Sequence, residues 1–117
     1  MPVVSTPHFE IAVRPASEGV LLVCLAGDFD MSVGDALAEA LVGAAHSPGA
    51  DHVLVDLRRT VFFDSHGIAG LVAGYEAAVA AGRRFTVAHA QGMVKQVLDI
   101  TGLSEVLGGD PKNADAG

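Results

Sequence analysis

The feature that most constrains this chain is a largely apolar run, Val53-Leu54-Val55-Asp56-Leu57, followed after a short junction by residues repeating at helical spacing. A run that short and that apolar reads as a central strand. The segment after it places Ile68, Leu71, Val72, Tyr75 and Val79 on one face, the pattern of a helix lying on a sheet. The junction is Val61-Phe62-Phe63-Asp64-Ser65-His66-Gly67. A hydroxyl there stands over the first backbone N–H groups of a helix, which favour negative charge. Ser65 is therefore a candidate phosphorylation switch, since a phosphate is electrostatically tolerated at a helix start. Ser65 or Asp64 serving as an ordinary helix cap is the competing reading.

The flanking segments fix the fold class. His8–Arg14 alternates polar and apolar and predicts a strand with one wet face. Pro15–Gly19 is a turn, and Val20–Leu25 is apolar throughout, which predicts a more buried strand with Cys24 as a buried thiol. Ser32 reads as the cap of a helix with Asp35 three residues on. Leu37, Leu41 and Ala44 or Ala45 mark its buried stripe, and Ser47-Pro48-Gly49 breaks it. The central strand is His52–Leu57, Gly82 ends the second helix, and Arg84–Ala88 is the next strand. Residues 92–101 form a third helix stopped by Gly102, with Leu103 as the hydrophobic contact behind it. Leu103–Leu107 is expected to add a short edge strand, and 108–117 to be a disordered tail beyond a domain spanning 1–107. The alternation predicts an α/β fold: a mixed sheet of four or five strands with about three helices mainly on one face.

Composition removes several functional classes. The 117 residues suit one domain able to bury about two thirds of its unfolded surface. Fourteen acidic against seven basic side chains give a net charge of −7, which disfavours nucleic acid. Arg58-Arg59 and Arg83-Arg84 read as solvated loop ends rather than a basic patch. No leader pattern and no apolar run near the roughly 20 residues of a membrane span are present, so a cytoplasmic protein without a membrane partner is expected. The five histidines and Cys24 share no ligand spacing, and Gly67-Ile68-Ala69-Gly70 lacks the Lys-Ser/Thr ending of a phosphate loop, so neither metal nor cofactor is expected.

An enzyme is the contrasting reading. Phe63-Asp64-Ser65-His66-Gly67 half resembles a nucleophile elbow, with Phe63 in place of its first glycine. Asp64, Ser65 and His66 spell a triad in one line, but consecutive side chains at a helix start diverge, and geometry decides such a triad. No enzymatic activity is expected.

Three segments together resemble one family. Leu25-Ala26-Gly27-Asp28-Phe29-Asp30 is similar to the "Gly-x-hydrophobic-Asp" turn of the STAS-domain family, the anti-sigma factor antagonists. Val53–Leu57 followed by Phe63-Asp64-Ser65-His66-Gly67 resembles its strand and "Asp-Ser-small-Gly" signature. Val94–Leu103 resembles its closing helix and "Ser/Thr-Gly-Leu" motif. Order and spacing agree over roughly residues 8 to 107.

The resemblance implies a protein that binds a kinase-type anti-sigma factor and so frees a sigma factor. The anti-sigma serine kinase would phosphorylate Ser65 and switch the antagonist off, and a phosphatase would reverse this. It implies a partner surface of Asp30, Asp64, Ser65, His66 and Gly67, although Asp30 also reads as a turn residue and Asp64 as a cap. A STAS module working in another signalling complex without phosphorylation is the alternative. The family has a small residue where this chain has His66. Its members usually finish with one more helix, for which no sequence is expected here.

Overall fold

The structure is a computed structural model that describes residues 3–5, 9–30 and 33–107. Its elements run β1 (Val3–Ser5), β2 (Phe9–Ser17), β3 (Val20–Phe29), α1 (Gly34–Ala45), β4 (His52–Phe63), α2 (Ser65–Ala80), β5 (Arg84–Ala88), α3 (Gly92–Thr101) and α4 (Leu103–Leu107). The strands form one mixed sheet in the order β1-β2-β3-β4-β5. β1, β2 and β3 pair antiparallel, while β3–β4 and β4–β5 are parallel. The parallel pairs follow from the two helical crossovers, which return the chain to the same end of the sheet.

One face carries the core. Val13, Val23, Val55 and Val87 lie in a single row across four strands, and Leu21, Val53 and Phe85 in the next. Leu37 and Leu41 of α1, Leu71 and Ala78 of α2, Val94 and Leu98 of α3 and Leu107 of α4 join these residues in one buried cluster. All four helices therefore cover the same face. On the other face Leu22, Cys24 and Leu54 are only half-buried. The apolar run of β3 thus does not signify burial on both sides, and the Cys24 thiol is half-buried rather than buried.

The buried face of α2 is rotated from the expected one. It consists of Gly67, Gly70, Leu71, Gly74 and Ala78, and Val79 is 55% exposed. The glycines let α1 and α2 approach closely. A Cβ on Gly74 would lie 2.6 Å from the Cβ of Leu41, and one on Gly70 would lie 3.2 Å from the carbonyl oxygen of Gly34. A pattern of large apolar side chains misses such a seam, because its packing residues have no side chain.

Several further expectations are corrected. β4 extends to Phe63, because β3 continues beyond Leu25 and pairs with it through Phe29↔Phe63. Gly27-Asp28-Phe29 is thus strand, and Arg58-Arg59 lies within β4 rather than in a loop. Arg83 is not a solvated loop end either, since its guanidinium donates to the carbonyl oxygens of Ala45 and Ser47 and closes the end of α1. Leu103–Leu107 is a helix, not an edge strand. Gly102 at φ 80° reverses the chain, and α4 then turns Leu107 into the core beside β5. A fourth helix therefore stands where none was expected. β1 is an additional strand, and β2 runs on to Ser17. The proposed Ser32 cap, His8 and the 108–117 tail lie outside the described residues.

Candidate functional site

The site forms where two parallel strands end side by side. Phe29 and Phe63 are register partners, with ring centroids 5.3 Å apart, and Phe9 meets Phe29 edge-on at 5.7 Å. The Asp64 N–H donates to the Phe29 carbonyl at 3.2 Å. That bond ties the exit of β4 to the exit of β3, so the residues that follow, Asp30 and Asp64-Ser65, share one end of the sheet.

Asp64 is the helix cap. Its backbone is extended, and its Oδ1 accepts from the N–H groups of His66 at 2.8 Å and Gly67 at 3.1 Å. Its carbonyl accepts the first helical bond, from Ile68 N–H at 3.0 Å. Two of the N–H groups that an incoming anion would use are thereby already occupied by a carboxylate. Capping belongs to Asp64, which leaves Ser65 without that task.

Ser65 is the first residue of α2 and is exposed. Among the described residues its hydroxyl has no hydrogen-bond partner. Thr60 differs sharply: it is buried, and its hydroxyl donates to the Leu57 carbonyl at 2.6 Å. The Thr101 hydroxyl is likewise engaged, with the Val97 carbonyl at 2.8 Å. Of these three, Ser65 alone is both accessible and unengaged.

His66 projects a ring that is 55% exposed, its Nδ1 4.0 Å from Asp64 Oδ1. That separation exceeds a hydrogen bond, so Asp64 does not orient the imidazole as a catalytic triad requires. Gly67 is fixed by close approach, since a Cβ there would stand 2.5 Å from the Phe29 carbonyl oxygen and 2.9 Å from the Phe63 ring. Asp30 is half-buried at the end of β3, and its carbonyl accepts from Val33 N–H at 3.0 Å, turning the chain into α1. All five residues singled out from the sequence thus lie at one end of the sheet.

One participant escaped the sequence reading. Gly34 packs on His66: a Cβ there would lie 2.9 Å from both the Cβ and the carbonyl oxygen of His66. The start of α1 therefore braces the start of α2. The signal was present as a glycine inside a predicted helix start, where glycine is unfavourable without a packing reason.

Comparison with known proteins agrees with this geometry. A family model described as "Mlab, STAS domain" matches residues 13–108. The anti-sigma F factor antagonist of Paenibacillus polymyxa is 26% identical over 89 residues, covering 76% of each chain. The crystal structure of an anti-sigma factor antagonist from Mycobacterium paratuberculosis superposes with a TM-score of 0.75 at 27% identity, covering 95% of both chains. The antagonist SpoIIAA in its unphosphorylated form gives a TM-score of 0.72 at 15% identity, covering 91% of this chain and 93% of that one, a likeness of fold. On the match over residues 13–108, with the strand-end site in place, the chain belongs to the STAS-domain family.

Proposed function

We propose that this protein is an anti-sigma factor antagonist that binds a kinase-type anti-sigma factor through the Asp30–Ser65 end of the sheet and is switched off by phosphorylation of Ser65. The observation that carries the reading is the exposed, unengaged Ser65 hydroxyl at the first turn of α2, in a chain whose relatives include anti-sigma factor antagonists. In the modification, Ser65 Oγ attacks the γ-phosphorus of ATP as the bond to the bridging oxygen breaks. ADP departs and the hydroxyl proton passes to a base of the kinase. The product adds about −1.5 to −2 charges to a surface that packs against the partner. The domain itself works as a non-enzymatic binding module of the cytoplasm, and a phosphatase restores it.

Incubation with candidate anti-sigma kinases and ATP, followed by mass spectrometry, tests this. Phosphate on Ser65 is expected, together with loss of the complex and resistance of Ser65→Ala to inactivation. Phosphate on Thr60 or Thr101, or none at all, would overturn the reading. A second reading, a STAS module that binds without being phosphorylated, draws on the occupation of the His66 and Gly67 N–H groups by Asp64. Retained binding with no phosphate from any kinase would favour it.

A further inference from the structure

We propose that His66 is the counter-ion of the phosphate on Ser65, an ion pair strongest between the ionisation of the phosphate and that of the imidazole and weaker on either side. This rests on the reading of Ser65 as the phosphorylated residue. Of the elements that build the site, β3, α1 and α2 contain neither lysine nor arginine, and the two arginines of β4, Arg58 and Arg59, stand at least four residues before its end at Phe63. The site elements bring carboxylates instead, with Asp35 in the first turn of α1 and Asp64 at the cap. Asp64 cannot turn away without releasing the N–H groups of His66 and Gly67. A phosphate on Ser65 therefore arrives among negative charges, with two first-turn donors already taken.

His66 is the one basic side chain between Arg59 and Arg83. Its ring lies over the cap, Nδ1 4.0 Å from Asp64 Oδ1, at the end of the helix where Ser65 begins it. Helical side chains lean toward the N-terminus, which directs an imidazole at this position to the same side. Gly34 lies against the base of the ring, so close that a Cβ on it would stand 2.9 Å from the His66 Cβ and carbonyl oxygen. Neighbouring side chains diverge too far for His66 to draw a proton from the Ser65 hydroxyl. A phosphoserine reaches further than the hydroxyl by the length of a phosphoryl group, which would let its oxygens meet the ring. An imidazolium and a phosphate dianion stabilise each other's charged forms, raising the histidine pKa and lowering the second phosphate pKa. Their unperturbed values, about 6.5 and about 6, fall in the same physiological window.

The test needs no kinase. Phosphoserine is installed at position 65 during translation by stop-codon suppression, and the phosphorus and histidine resonances are followed by NMR from about pH 5 to about pH 8.5, bracketing both groups. The phosphate's second ionisation should lie roughly half a unit lower than in the His66→Ala protein, the size of an exposed pair. His66 should titrate higher by a similar amount than in the unmodified chain, and salt near 0.5 M should shrink both shifts. If His66→Ala disturbs the circular dichroism spectrum, His66→Gln supplies the comparison. Superimposable phosphate titrations with and without the imidazole would overturn the proposal, as would an unmoved His66 resonance. Failure of every kinase to modify Ser65 would instead overturn the antagonist reading and leave this titration result intact.

Discussion

Replacing Gly67 with alanine should destabilise the domain by about 2 kcal/mol, although alanine is the better helix former. The added methyl would stand 2.5 Å from the Phe29 carbonyl oxygen, against an ordinary C···O contact of roughly 3.3 Å or more. The obstacle is main chain, and that carbonyl already accepts the Asp64 N–H at 3.2 Å, so it cannot withdraw without separating the two strand ends. On its other side the methyl meets the Phe63 ring at 2.9 Å. Overpacking of this kind costs about 1–3 kcal/mol, and a backbone obstacle places it at the upper end. The helix-propensity gain returns up to about 1 kcal/mol. Gly43, in α1, is the matched control, because a Cβ there meets nothing within 4 Å. Gly43→Ala should therefore stabilise by about 0.5–1 kcal/mol. In urea, with a slope on the order of 1.5 kcal/mol per M, the Gly67→Ala midpoint should fall by roughly 1.3 M while that of Gly43→Ala rises. A Gly67→Ala midpoint equal to or above wild type would refute the steric argument.

Leu71, fully buried beneath α2, should cost about 2–5 kcal/mol on truncation to alanine, read from the same urea transition. Asp64→Ala should lose about 0.5–2 kcal/mol by releasing two first-turn N–H groups, while Asp64→Asn keeps an acceptor and should lose less in thermal melts. His52 bonds Thr86 Oγ1 at 2.8 Å, and burial, aided by the nearby Arg84 charge, lowers its pKa below the ordinary 6.5. The unfolded chain then takes the proton first, so this group's share of stability is present above about pH 6.5 and is lost as pH falls through the window below it. His52→Gln should make the melting temperature less sensitive to acid between about pH 7.5 and about pH 5.5, and an unchanged acid dependence would remove His52 from the explanation.

The sheet and the site were legible to different depths. Val53–Leu57 announced a strand because its apolar run is too short for a helix, and Asp64-Ser65 stood out at the gap between two periodicities. Gly67, Gly70 and Gly74 hid the true face of α2, since periodicity is read from side chains and this seam has none. Leu103-Ser104-Glu105-Val106-Leu107 is too short for its period to separate strand from helix, and Gly102 together with burial of Leu107 decides it. The length of β4 and the bonds from Arg83 to α1 depend on chain segments dozens of residues away. No local pattern encodes them.

The unequal lengths of β4 and β5 divide the central strand into two kinetic regimes. From His52 to Asp56 it is bonded on both sides, by β3 and β5; from Leu57 to Phe63 the only paired strand beside it among the described residues is β3. Amides of the first part exchange their hydrogens only through opening of the core. Those of the second part that point away from β3 exchange by local excursions far cheaper than global unfolding. Ser65 thus follows a strand whose base is bonded on both sides and whose last part is held by β3 and by the burial of Phe63. Under the proposed function, a kinase would reach the exposed Ser65 hydroxyl at the surface while the strand behind it stays closed.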